Sequence, residues 1–162
     1  MLYRSKLMNE LNKDELRKEI EKMNLSTEDL EKELDRALEQ FKELEVEEKL
    51  KEAAEKLNEL ADKQEQLAND ESKSAEEKLK EQEKLNKEFE DVKKELKEAE
   101  ELNKELENPQ EIPDTDGLKK EIDDEQDKAS SELKQNKKSN ASKSQKKASE
   151  KMKQMSQQRS EE

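Results

Sequence analysis

The chain contains no cysteine, no histidine and no tryptophan, and it has two prolines and one glycine among 162 residues. Without cysteine or histidine it can form no disulfide, thiol nucleophile, imidazole base or zinc site built on these ligands. A single glycine also excludes a P-loop, which needs at least two. Aromatic residues supply 2% of the chain, and no apolar run is long enough to be a transmembrane helix or a signal peptide. These absences predict a protein that is not an enzyme, with no catalytic residues, no cofactor and no bound metal.

Charge is what the chain has in abundance, since 50% of its residues are charged and the formal net charge is −13. Few apolar residues combined with high net charge are typical of disordered segments. However, Ala, Glu, Lys, Leu and Arg supply about 60% of the residues, which is typical of long helices when a helical period accompanies it. The apolar residues recur at steps of three and four, so the sequence favours helices. An isolated helix of this kind cannot offset the ~1–2 kcal/mol that ordering each residue costs, so its apolar stripe needs a partner helix.

Capping residues predict where the helices begin. Asn12 and Ser26 each stand between leucines in the pattern of an N-cap with a hydrophobic staple. Ser74 followed by Glu77 is a capping box. The helices predicted from these caps cover about 13–23, 27–68 and 74–108.

The segment 109–117 is predicted to be a linker, because it holds both prolines and the only glycine. Within it, Asp114-Thr115-Asp116-Gly117 is similar to the middle of a calcium-binding EF-hand loop. The corresponding ligand positions would fall on Ile112 and Lys120, which do not suit a cation, so a helix-capping turn is favoured. Residues 118–162 are predicted to form a basic helix rich in Lys, Ser and Gln, which is frayed or disordered.

The predicted fold is all-α: an elongated antiparallel coiled coil or helical bundle of about four helices, with a weakly ordered C-terminal part. Residues 1–108 would form a short helix followed by a long helical hairpin. The apolar repeat slips in phase between Leu44 and Val46, which predicts local rewinding or a change of packing partner. The residues predicted to pack between helices are Leu30, Leu34, Phe41, Leu50, Leu57, Leu60, Leu67, Leu85, Phe89, Val92, Leu96, Leu106, Leu118 and Ile122.

Charge is distributed unevenly, with about −19 on residues 1–127 and about +6 on residues 128–162. The favoured interpretation is that the basic segment lies along acidic helices of its own bundle. The alternative is that it binds nucleic acid or an anionic lipid surface. Nucleic acid is disfavoured because no aromatic side chain is interleaved for base stacking.

Several segments share a resemblance to a known family. They are Leu25–Leu44, Glu47–Leu50, Leu60–Leu67 and Ser144–Met155. Together they resemble the helical region of a bacterial family, typical of Bacteroidota, of very large membrane-anchored proteins of unknown function. Those proteins have N-terminal transmembrane helices followed by long stretches rich in Glu, Lys and Gln. The resemblance brings no catalytic residues, and it implies a fragment of a larger protein, attached to the bacterial cell envelope through segments outside this sequence.

The functional hypothesis that follows is a non-catalytic structural or scaffolding segment that acts by helix–helix association. Its partners would be helices of its own chain, a homo-oligomer or other envelope proteins. Two alternatives remain open at this point. The basic C-terminal segment could bind an anionic partner, or the helices could clasp another protein as a holdase or adaptor.

Overall fold

The structure is a computed structural model that describes the backbone of residues 2–160 and the side chains of residues 15–24 and 26–158. Four helices follow one another: α1 (Leu2–Asn69), α2 (Ala75–Lys104), α3 (Asp116–Lys134) and α4 (Lys138–Ser160). The described residues contain no strand, so the prediction of an all-α fold with about four helices is confirmed. Contacts divide the chain into two compact units, Met1–Phe41 and Lys42–Glu162.

Helix α1 differs from the prediction because it runs through Ser26 without a break. The separate helices expected at 13–23 and 27–68 are therefore one helix. No proline or glycine occurs before Pro109, so nothing in this segment forces the backbone out of helical geometry. The Thr27 hydroxyl donates a 2.7 Å bond to the Met23 carbonyl, which satisfies it within the helix. Ser26 is exposed mid-helix and is not a cap. Asn12 lies outside the described side chains.

The unit formed by residues 42–162 is a four-helix bundle in which each helix runs antiparallel to its neighbours. Lys56 binds Glu95 between α1 and α2 at 2.7 Å, and Lys93 binds Asp123 between α2 and α3 at 2.6 Å. Lys151 pairs with Glu121 between α3 and α4. Ser149 of α4 donates to the Ala61 carbonyl of α1, which closes the ring of four helices.

Most residues predicted to pack between helices do so in this bundle. The predicted residues that are buried are Leu57, Leu60, Leu67, Leu85, Phe89, Val92, Leu96, Leu106 and Ile122. Leu50 and Leu118 are partly buried and pack against the same core. The core also takes in Ala53, Ala61, Met152 and Met155. Its apolar side chains therefore come from all four helices.

Residues 118–162, predicted as one helix, are divided between α3 and α4 by a turn at 135–137. Asn136 has φ 58°, and asparagine tolerates this left-handed conformation better than most residues. Its backbone N–H donates to the Leu133 carbonyl at 2.9 Å, and the Lys137 N–H donates to the Glu132 carbonyl at 2.8 Å. These two bonds are those of a Schellman motif, which ends a helix without proline or glycine.

The loop between α2 and α3 begins earlier than the predicted linker, because α2 ends at Lys104 and not at 108. The buried Asn103 side chain holds the returning chain through two hydrogen bonds. Its Nδ2 donates to the Gln110 carbonyl, and its Oδ1 accepts from the Gln110 N–H, both at 2.8 Å. Helix α3 starts at Asp116, which shortens the predicted linker at its end.

The predicted cap at Ser74 is confirmed. The Glu77 N–H donates to the Ser74 hydroxyl at 3.2 Å, and the Glu77 carboxylate accepts from the Ser74 N–H at 2.8 Å. Both halves of the capping box are present at the start of α2. The hydrogen bonds to Ser74 lower the pKa of the Glu77 carboxyl.

The two predicted caps can be compared directly by mutation. We expect Ser74→Ala to lower the free energy of unfolding by about 1 kcal/mol, because a backbone N–H at the start of α2 loses its acceptor. The matched change Ser26→Ala should stay within about 0.5 kcal/mol of the wild type, since alanine is a better helix former at an exposed position. Urea denaturation followed by circular dichroism measures both. A loss at Ser26 equal to that at Ser74 would contradict the continuous α1.

Candidate interaction surfaces

An apolar stripe on the unit 1–41 faces solvent. Its large side chains are exposed to between 49% for Ile20 and 72% for Phe41. They follow one another along α1 in alternating steps of four and three residues. We call this surface the N-terminal stripe, and it consists of Leu16, Ile20, Met23, Thr27, Leu30, Leu34, Ala37 and Phe41.

Three residues predicted to pack between helices lie in this stripe and are not buried. Leu30, Leu34 and Phe41 are exposed to 66%, 67% and 72%, so no helix in the described part of the chain covers them, and their packing against a second copy stays a prediction. The reason is the phase slip between Leu44 and Val46. Leu44 is still 59% exposed, whereas Val46 is fully buried, and the buried face of α1 begins there.

Steps of four and three are those of a heptad repeat, which places the stripe at the positions that coiled coils bury. Ile20, Thr27, Leu34 and Phe41 occupy the a positions, and the residues between them occupy d. Thr27 is the polar member of the stripe. Because its hydroxyl already donates to the Met23 carbonyl, a partner helix could cover it without leaving an unsatisfied group.

Inside the bundle, the four helices contribute one glutamine each to a polar layer. These glutamines are Gln64, Gln82, Gln126 and Gln145, and at most 2% of any of them is exposed. Burying an amide without a partner costs about 1–3 kcal/mol, so their hydrogen bonds determine whether the layer is tolerated.

The glutamine side chains bond to one another. Gln64 Nε2 donates to Gln82 Oε1 at 2.7 Å, and Gln82 Nε2 donates to Gln64 Oε1 at 2.9 Å. Gln145 Nε2 donates to Gln82 Oε1 at 2.9 Å, and Gln126 Nε2 approaches Gln64 Oε1 at 3.5 Å. Gln145 Oε1 is buried without a hydrogen-bond partner among the described residues. The layer thus links all four helices at one height of the bundle.

Small residues bring α4 close to α1. Ser142, Ser149 and Ser156 stand seven residues apart on α4, and each donates a 2.8 Å bond to a backbone carbonyl of α1. The acceptors belong to alanines that are also seven apart: Ala68, Ala61 and Ala54. Hydroxyls can reach backbone carbonyls only where two helices approach closely, which alanine permits.

Part of the basic segment lies along acidic residues of the bundle. Lys147 pairs with Glu125 of α3 at 3.7 Å, and Lys151 pairs with Glu121. Lys153 pairs with Glu65 of α1 at 2.7 Å, and its hydrogen bond to this carboxylate raises the pKa of Lys153. These lysines contribute to packing of α4 against α1 and α3, although exposed pairs of this type contribute at most about 1 kcal/mol each.

Other candidate chemistries find little support in the described part of the chain. No group of three or more acidic side chains there could hold a metal ion. The Asp114 carboxylate instead accepts from the Asp116 N–H at 2.9 Å, as in a turn before a helix. None of the helices, over the residues described, is long and apolar enough to cross a membrane. Comparisons with protein-family models, curated proteins and solved structures give no match to this chain.

The glutamine layer and the serine contacts were not among the predicted site residues. The available signal was a glutamine in each helix that stands seven residues from an apolar residue of the repeat: Leu57, Phe89, Leu133 or Met152.

The layer predicts non-additive effects of mutation. Gln64→Leu should lower the free energy of unfolding by about 1–3 kcal/mol, although leucine is more apolar, because amide groups of Gln82 and Gln126 lose their partner. Replacing all four glutamines by leucine should recover most of this loss, since no buried amide remains unsatisfied. Urea denaturation of the single and quadruple variants measures the difference. A quadruple variant that loses as much as four independent single changes would show that the amides are not coupled.

Proposed function

We propose that this chain is a non-catalytic scaffolding segment that acts by helix–helix association through the N-terminal stripe. The observation that carries the proposal is the exposure of a heptad repeat of large apolar side chains on α1, next in sequence to a bundle whose own stripes are buried. The partner that fits this surface best is the same stripe of a second copy of the chain.

Burial of the stripe supplies the driving force. From Leu16 to Phe41 it extends for about 39 Å at a rise of 1.5 Å per residue. An apolar repeat sustained over nearly four heptads is typical of coiled coils. Each large apolar side chain that moves from water into a packed interface contributes roughly 1.5–3 kcal/mol. Monomeric proteins rarely leave a contiguous apolar surface of this kind uncovered.

The residues that flank the stripe are compatible with a parallel pair of identical helices in register. In that arrangement, each g position faces the e position five residues further along the second copy. The facing pairs would be Glu19 with Asn24, Ser26 with Glu31, and Glu33 with Leu38. None of these pairs joins like charges, so a parallel homodimer buries the stripe without electrostatic repulsion at its edges.

The proposed context is a larger bacterial protein anchored in the cell envelope, with the membrane anchor outside this segment. The support for this context is the resemblance of Leu25–Leu44, Leu60–Leu67 and Ser144–Met155 to the helical regions of such proteins. In that setting the segment would hold copies of the larger protein side by side.

Sedimentation of the full chain over a range of micromolar concentrations tests the proposed pairing. We expect a monomer–dimer equilibrium that Leu30→Ser/Leu34→Ser shifts to monomer, because two buried layers of the coiled coil are lost. The matched control Lys18→Ser/Lys32→Ser changes two positions on the opposite face of the same helix and should leave the dimer intact. A wild-type chain that remains monomeric, or a dimer that the leucine changes do not weaken, would refute the proposal.

The orientation can be measured with an introduced cysteine, because the chain has none of its own. Leu16→Cys should form a disulfide between copies on mild oxidation, since a parallel pair in register places the two Leu16 positions opposite each other. The reference variant Lys18→Cys should cross-link much less. If Leu16→Cys does not cross-link although the chain dimerises, the copies are not parallel.

A further inference from the structure

A cavity of about 560 Å³ lies where α1 ends and where α2 and α4 begin. Its walls carry four lysines and a single carboxylate. The lining residues are Ala68, Glu71, Lys78, Lys138, Ser139, Ser142, Lys143 and Lys146. In a chain with a formal net charge of −13, this is a local excess of positive charge.

Lys78 is the member of this group that needs an explanation, because only 3% of it is exposed. In the described part of the chain its ammonium makes one hydrogen bond, to the Ala68 carbonyl at 3.5 Å, although it has three donors. Burial lowers the pKa of Lys78, and the positive charges of Lys138 and Lys73 lower it further, against the opposing effect of Asp70 and Glu71. A buried ammonium without a counter-ion is costly.

The other lysines of the cavity also lack carboxylate partners among the described residues. Lys138 donates to the Lys73 carbonyl at 3.3 Å, and Lys143 and Lys146 make no ion pair there. Further along α4, by contrast, Lys147, Lys151 and Lys153 are each paired with acidic residues. Among the described cations of α4, those without a carboxylate partner are therefore the three that line the cavity.

We propose that this cavity binds a polyphosphate-class anion, held by the ammonium groups of Lys78, Lys138, Lys143 and Lys146. Lysine is a common ligand of phosphate, acting as a point charge. The volume is within the range of small-molecule sites and exceeds what a single phosphate would fill. Helix α4 begins at Lys138 with no acidic residue in its first turn, so its dipole adds positive potential on the same side.

The walls carry four lysines and one carboxylate, Glu71, so positive charge remains in excess. Because the attraction to this excess grows with the charge of the ligand, a multiply charged anion is favoured over a monoanion. The pyrophosphate group is a small anion of this class that carries several negative charges and is larger than a single phosphate. It could come from a soluble phosphate compound or from the headgroup of a lipid, and the two sources can be separated by experiment.

Calorimetric titration of inorganic pyrophosphate into the full chain, in metal-free buffer at constant ionic strength, tests the site. We expect saturable binding and a higher melting temperature of the chain. Lys78→Met should weaken binding roughly tenfold or more, because it removes the buried ammonium. Glu71→Gln should strengthen binding. The control Lys80→Met changes an exposed lysine of the same helix, paired with Glu76 at 3.2 Å, and should leave binding unchanged.

The melting temperature of the ligand-free chain shows whether Lys78→Met loses binding through misfolding or through loss of the site. We expect Lys78→Met to raise this temperature, because the substitution removes a desolvated charge. Absence of saturable pyrophosphate binding, or an equal loss in Lys78→Met and Lys80→Met, would refute the proposal.

A second arm uses phosphatidylcholine vesicles with and without phosphatidic acid. If the chain binds the anionic vesicles and pyrophosphate competes with this binding, the site is supported and its ligand is a lipid headgroup. If the chain binds pyrophosphate saturably but does not bind the vesicles, the site is supported and its ligand is a soluble phosphate compound. Vesicle binding that Lys78→Met leaves unchanged would count against the cavity.

Discussion

The glutamine layer is the constraint on which the arrangement of the four bundle helices depends. Apolar heptads alone would allow a helix to slide by one repeat with little change in buried area. Such a shift would separate Gln64 from Gln82 or Gln145 from Gln82, and each buried amide left without a partner costs about 1–3 kcal/mol. A single polar residue at a core position sets register in coiled coils in the same manner. The observed contacts between α1 and α4, from Ser142 to Ser156, are in the register that this layer requires.

The side of α1 that contacts α4 and the N-terminal stripe differ in the size of their residues. In the bundle, α1 presents Ala54, Ala61 and Ala68 to α4, so these two helices approach closely and are joined by hydroxyl–carbonyl bonds, while the buried leucines of α1 pack in the common core. The N-terminal stripe carries three leucines together with Ile20, Met23 and Phe41, and these large side chains are exposed. A chain with 27% apolar residues thus places a dense set of large ones where no other described helix covers them.

Much of the fold could be predicted from the sequence, and the failures have physical causes. The helical class and the Ser74 capping box follow from local chemistry alone. Ser26 has similar neighbours, but a serine can also be accommodated within a helix, and no proline or glycine breaks α1 there. The α3–α4 turn is hard to predict because Asn136 ends α3 through its own left-handed conformation, without a proline or glycine beside it. The glutamine layer was missed because a lone glutamine in an apolar repeat is ambiguous until the helices are paired.

The distribution of lysines on α4 bears on which anions the chain can bind. An extended polyanion such as a nucleic acid would have to follow a basic surface over a considerable length. Lys147, Lys151 and Lys153 cannot supply one, because they are paired with acidic residues of α3 and α1, and an extended ligand there would meet those carboxylates. The four lysines around the cavity form a compact group instead. A small, multiply charged anion can enter such a site and remain away from the acidic faces of the bundle, whereas a long polyanion would be repelled by them.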